Sequence, residues 1–150
     1  MAAVQVIAAK YGAAGDREHY LGFTTATNRF RFLVSRDGTA SDSVDADILG
    51  LPAINTWYLV VAWHDSVADT INIEVNNGGV DSLPHATGVF DGTYPFRIGR
   101  LGALAFYMDG RIGPTMFWKS APGVGGILTA AQRTQLWNGG TPLRHDQFTV

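Results

Sequence analysis

Apolar and polar residues alternate with a period of two along several short stretches of this chain, the pattern of strands with one face turned inward. Arg29-Phe-Arg-Phe-Leu-Val-Ser35 puts Phe30, Phe32 and Val34 on one face and Arg29, Arg31 and Leu33 on the other. Thr70-Ile-Asn-Ile-Glu-Val75 repeats the pattern with Ile71, Ile73 and Val75 inward. Asn76-Asn77-Gly78-Gly79 follows directly and supplies residues that tolerate positive φ, so it predicts a hairpin turn. From Trp57 to His64 both faces are apolar, with Trp57, Leu59, Val61 and Trp63 on one side and Tyr58, Val60, Ala62 and His64 on the other. That stretch predicts a central strand covered on both sides.

Further strands are predicted at Val4–Ala8, Tyr20–Thr24, Phe96–Gly99, Ala103–Met108 and Arg111–Lys119, about eight to ten in all, the number that two packed sheets use. Between them stand turn signals such as Arg36-Asp37-Gly38, Asp91-Gly92, Asp109-Gly110 and Asn138-Gly139-Gly140. One helix is predicted near the C-terminus: Thr129 with Gln132 three residues on has the spacing of a capping box, Leu128, Gln132 and Leu136 fall on neighbouring turns, and Asn138-Gly139 ends it. The pattern as a whole predicts an all-β fold, a two-sheet antiparallel sandwich, formed by residues 1–150 as a single domain.

Composition narrows the function. The chain has 150 residues, 46% apolar and only 16% charged, which supports a core and leaves the surface sparsely charged. Nine arginines and two lysines are scattered singly in a chain of net charge −2, without the basic stripe that phosphate backbones require, so nucleic acid is excluded as a partner. There is no cysteine, and therefore no disulfide or thiolate metal site. The longest apolar run, Trp57 to Trp63, is far short of the roughly 18 residues of a membrane span, and membrane insertion is not expected. The N-terminal stretch reads as a strand, since Lys10 interrupts it too early for a secretory signal.

Four stretches in order resemble the LamG-like branch of the concanavalin A-like lectin and glucanase jelly rolls. They are Lys10-Tyr-Gly-Ala-Ala-Gly-Asp-Arg-Glu18; Arg31 to Gly38; Asn55-Thr-Trp57 through Asp65; and Phe96-Arg-Ile-Gly99 through Asp109-Gly-Arg-Ile112 to Leu136-Trp-Asn-Gly139. The resemblance spans roughly residues 7 to 140. It implies a concanavalin A-like jelly roll in which Trp57, Trp118 and Trp137 take packing positions and His64 a core or hairpin-end position. Such domains usually begin some tens of residues earlier, so the resemblance also implies a sheet edge that another subunit or an added strand would cover.

The chemistry of catalysis is thin. Glucanases of this fold carry an E-x-D-x-E strand, because retaining hydrolysis needs an acid and a nucleophile about 5 Å apart. This chain has only Glu18 and Glu74, and Asp69 and Glu74 are an odd number of residues apart, on opposite faces of a strand. The histidines at 19, 64, 85 and 145 have no zinc spacing, and no serine sits in a G-x-S-x-G elbow. No catalytic residue is assigned.

LamG-like domains often hold a calcium ion at the rim of the sandwich, and the resemblance implies Asp65, Asn76, Asn77, Asp81 and Asp109 as candidate ligands, oxygen donors of the kind calcium takes. The same residues suit turns, which is the preferred use. Trp63, Tyr94 and Tyr107 are the candidate ligand-binding residues, since a sugar face packs on an aromatic ring. Together these features predict a non-catalytic structural or adhesion module of an extracellular or virion-surface assembly, of decoration or fibre type, partnered by other protein subunits and by copies of itself. The alternative is an independent carbohydrate-binding, lectin-like module that takes cell-surface glycan.

Overall fold

The computed structural model describes residues 3–102, 106–118, 126–143 and 147. They form two antiparallel sheets and one short helix. The larger sheet contains β1 (Gln5–Tyr11), β2 (Arg17–Thr24), β3 (Arg29–Ser35), β4 (Ser41–Asp45) and β8 (Arg97–Ile98), in the order β4-β3-β2-β1-β8. The smaller contains β5 (Val60–Asp65), β6 (Thr70–Val75) and β7 (Val80–Pro84), in that order. Strands adjacent in sequence pair as hairpins within each sheet, and β8 returns to lie beside β1.

The alternation read from the sequence is what packs the sheets. Phe30, Phe32 and Val34 of β3 join Phe23 of β2, Val44 of β4 and Ile71, Ile73 and Val75 of β6 in one buried cluster. Cross-strand registry explains the grouping, because Phe23 faces Phe30 and Phe32 faces Val44 across the larger sheet. The other face of that sheet holds a second cluster of Val6, Ala9, Tyr20 and Leu101. There Tyr20 Oη donates to the Phe23 carbonyl at 3.1 Å, and burial pushes the phenol pKa up to about 12.

The turns follow their residue chemistry. Asn76 and Asn77 both adopt positive φ, 54° and 53°, and carry the chain from β6 into β7 as the Asn-Asn-Gly-Gly run predicts. Gly38, at φ 84°, lies so close to Gly15 that a Cβ would stand 2.7 Å from the Gly15 carbonyl oxygen, so only glycine fits there. The helix α1 (Ala130–Trp137) begins at the expected capping box: Gln132 N–H donates to Thr129 Oγ1, and Thr129 N–H donates to Gln132 Oε1. Asn138 ends it in the left-handed conformation.

The strands differ from expectation most in four places. The doubly apolar stretch from Trp57 becomes a strand only at Val60, and β5 is the outer strand of its sheet among the described residues. Both of its faces do pack, Tyr58, Val60 and Ala62 against the main core and Leu59 beneath the helix, but the strand buried on both faces is β6. Trp57, expected in a packing position, is 62% exposed; Asn55 beside it takes a positive φ that breaks the extended run. Second, β4 was not expected, since Ser-Asp-Ser-Val-Asp offers only Val44 as an apolar residue. Third, the strand expected at Arg111–Lys119 does not form over 111–118. Pro114 stands in its middle and cannot donate to a ladder; Lys119 lies outside the described residues. Fourth, residues 103–105 of the strand expected at Ala103–Met108 are also outside them, and the remainder forms an isolated bridge from Tyr107 to Arg100.

Ile73 is fully buried between the sheets. Replacing it by alanine is expected to lower stability by about 3 kcal/mol through lost transfer free energy and an unfilled void, read as a lower urea midpoint. Thr129→Ala, which removes the helix cap, is expected to cost only about 1 kcal/mol in the same assay.

Candidate functional site

The outward face of the three-stranded sheet carries an aromatic and polar arrangement set by strand registry. Trp63 of β5 lies opposite Asn72 of β6, which lies opposite Ser82 of β7; one step along, Val61 faces Glu74 and Glu74 faces Val80. Asn72 and Glu74 are 6% and 4% exposed, unusual for the polar positions of a strand. Helix α1 lies over this face. Its Arg133 Nε donates to Glu74 Oε2 at 2.6 Å, its Nη1 donates to the Leu128 carbonyl at 2.7 Å, and its guanidinium carbon stands 4.5 Å from the centre of the Trp63 ring. Leu128 and Leu136 pack beside it with Leu59, Met116 and Trp118. Glu74 is thus engaged by a cation and covered.

The three candidate ligand-binding rings sit on different elements, and each carries an arginine. Trp63, in β5, is half-buried under Arg133. Tyr94, in the loop before β8, is half-buried with Arg97 at 5.3 Å, and its ring fills the space a Cβ on Gly12 or Gly102 would take. Tyr107 is 55% exposed, with Arg100 at 5.5 Å.

A different ring group is the most exposed aromatic feature of the described surface. Phe96 and Phe117 approach to 5.8 Å between centroids, and both stand against the His19 ring, at 5.9 and 6.2 Å. Phe117 is 68% exposed and Phe96 43%. Sequence reasoning missed both: Phe96 read as a strand residue, and Phe117 fell in a strand that does not form.

The candidate metal ligands are spread along the smaller sheet. Asp65 lies at the β5–β6 turn, where its Oδ1 accepts from the Val67 and Ala68 N–H groups, and those bonds hold its carboxyl below the usual range. Asn76 and Asp81 lie near the opposite end of β6 and share a shallow cavity of about 260 Å³ with Ile48 and Gly79. Asn76 Oδ1 accepts from Leu59 N–H, Asp81 Oδ2 from Ile48 N–H, and Asn77 Oδ1 from the Thr134 hydroxyl. Asp109 stands in an exposed bend. The structure therefore brings Asn76 and Asp81 together and leaves Asp65 and Asp109 apart from them. Among the described residues no group of three or more His, Cys, Asp or Glu side chains is arranged around a metal position.

One end of the molecule is closed by polar residues that sequence reasoning did not single out. His85, directly after β7, is buried, and its Nε2 donates to the Gly88 carbonyl at 2.7 Å while Nδ1 meets Asp42 Oδ2 of β4 at 2.9 Å. The contact ties the smaller sheet to the edge of the larger one. Arg36 also reaches Asp42, at 3.5 Å. His64 of β5 packs edge-on against His85, 5.4 Å between rings. Of the core or hairpin-end position expected for it, it takes the hairpin end, half-buried, and its Nε2 is buried without a partner. Burial, then the neighbouring His85, hold the His64 pKa below its ordinary 6.5, and burial lowers that of His19 as well.

Arg133→Ala leaves Glu74 buried without its cation and is expected to cost about 3 kcal/mol in urea denaturation. The histidines set the pH dependence. The fold binds protons at His64 and His19 less readily than the unfolded chain, which takes them up near 6.5, so stability is full above that pH and is lost as pH falls below it. Urea midpoints measured from pH 8 down to 5 should decline below about 6.5, and His64→Gln should flatten the decline. No family model, no curated protein and no solved structure matches this chain, so its role is read from its own geometry.

Proposed function

We propose that this chain is a non-catalytic structural or adhesion module of an extracellular or virion-surface assembly, of decoration or fibre type, that contacts other subunits and copies of itself. A LamG-like jelly roll belongs to the same proposal. The return of β8 from beyond the smaller sheet to the side of β1 is the connection that supports it.

The observation that carries the reading is the exposed group of Phe96 and Phe117 against His19. Large apolar side chains clustered in solvent mark surfaces that bind another macromolecule. The group lies next to β8, a strand of two residues at the edge of the larger sheet among the described residues, and sheet edges are where another chain can add a strand. Ile98 of β8 is itself 51% exposed. A chain with only 16% charged residues and a net charge of −2 offers little of the like-charge repulsion that keeps proteins apart.

Tyr107 favours a second reading, a carbohydrate-binding module. Its ring is more than half exposed and lies beside the donors of Arg100, a pairing of flat face and hydrogen-bond donors that suits a hydroxyl-rich ligand. Calcium, which the LamG-like resemblance implies, finds only Asn76 and Asp81 together in one cavity; their Oδ atoms already accept main-chain N–H groups, and two side chains fall short of the oxygen shell calcium takes.

Size exclusion with light scattering, on the chain alone and mixed with its assembly neighbours, separates the two readings. The assembly reading expects oligomers or complexes that Phe96→Ser and Phe117→Ser shift toward monomer without lowering the urea midpoint. A monomer under every condition would count against it. A glycan array with calcium, repeated with Tyr107→Ala, would then be the decisive assay, and signal lost in the variant would support the lectin-like module.

A further inference from the structure

The side chain of Arg133 is held in three ways at once. A buried carboxylate accepts from Nε, a main-chain carbonyl accepts from Nη1, and an aromatic ring lies 4.5 Å from the guanidinium carbon. Those are the groups that recognise a guanidinium rather than a generic cation, because it presents a planar fork of donors, a delocalised charge and a flat face that stacks. Two of the three belong to the smaller sheet: Glu74 in β6 and Trp63 in β5. Each is fixed by strand pairing independent of the helix, and Glu74 lies opposite Val61, two residues along β5 from Trp63.

The helix that supplies Arg133 is lightly attached. It has eight residues, of which only Leu136 is buried, and a helix of that length has little stability of its own. Leu136, Arg133 and the Thr134 hydroxyl bond to Asn77 hold α1 against the smaller sheet and its β6–β7 turn. Lifting α1 is a local opening that leaves the main core of Phe23, Phe30, Phe32, Ile71 and Ile73 intact.

We infer that Trp63 and Glu74 form a receptor for one arginine side chain, filled from within the chain by Arg133, and that an arginine presented by a protein partner takes the same place when α1 lifts. The receptor is independent of the assembly reading: a chain that is monomeric alone still holds it. Arg133 acts as a built-in competitor, so a partner's arginine binds more weakly to the intact chain than to one whose own arginine has been removed.

The test is chemical rescue of Arg133→Ala, read as the urea midpoint in ethylguanidinium, in ethylammonium and in ethylurea, the last a neutral molecule of similar shape. With a dissociation constant of about 5 mM, about 50 mM ethylguanidinium raises the folded-to-unfolded ratio about elevenfold. The expected result is that gain for ethylguanidinium, a clearly smaller one for ethylammonium and none for ethylurea. Adding Glu74→Gln to the variant should abolish it, and the unsubstituted chain should show none. Should Arg133→Ala lose its fold, the additives are supplied during refolding, and recovery of the β-type circular dichroism with ethylguanidinium alone supports the receptor. Equal responses to all three additives, a rescue that survives Glu74→Gln, or no recovery with any of them overturns it. In the intact chain, an arginine-containing peptide should bind about tenfold more weakly than in Arg133→Ala; equal affinity for the two would show that Arg133 does not occupy the place where the peptide binds.

Discussion

Burial of β6 on both faces is the constraint from which the rest of this molecule follows. Its odd-numbered residues Ile71, Ile73 and Val75 are driven inward by the hydrophobic effect and meet the phenylalanines of β2 and β3. Its even-numbered residues Asn72 and Glu74 are equally hidden on the other face. A carboxylate in that position costs several kcal/mol unless a cation is brought to it, and Arg133 is that cation. The position of the C-terminal helix is thus set less by apolar surface than by a single charge on the strand beneath it.

Where hydrophobic periodicity was strong, the sequence was enough. Phe30, Phe32, Val34, Ile71, Ile73 and Val75 point inward as their spacing requires, the Asn76–Gly79 run turns with positive φ, and Thr129 and Gln132 cap the helix reciprocally. Short or polar elements gave no such signal. β4 is a strand because β3 offers it an edge and because Asp45 meets Arg31 across the pair, with Nε–Oδ1 2.5 Å. Burial alone would disfavour the Asp45 charge, but hydrogen bonds from Arg31 and Thr27 outweigh it and hold the carboxyl below its ordinary range. None of that is visible in Ser-Asp-Ser-Val-Asp read by itself.

The candidate sites show the same division. Trp63 was legible as a ring on a strand, but not the arginine that occupies its face, because Arg133 is 70 positions away in sequence and reaches it only through the docking of α1. His85 and Asp42 come together across two sheets, 43 residues apart, and no spacing rule could have joined them. Phe96 and Phe117 are likewise brought to one place by the return of β8. What the surface offers to a partner is therefore built mainly by long-range topology. An apolar ring group stands at the edge of one sheet, an arginine-filled aromatic site on the outer face of the other, and the buried His85 with the half-buried His64 closes the end between them.

Amide hydrogen exchange tests the central role of β6 most directly. Its amides from Ile71 to Glu74, in a strand paired on both sides and covered on both faces, should be the slowest in the molecule and should open only with global unfolding. Amides of α1 should exchange sooner, by local opening. Rapid exchange along β6, or protection concentrated in α1 while β6 exchanges freely, would contradict a fold organised around that strand.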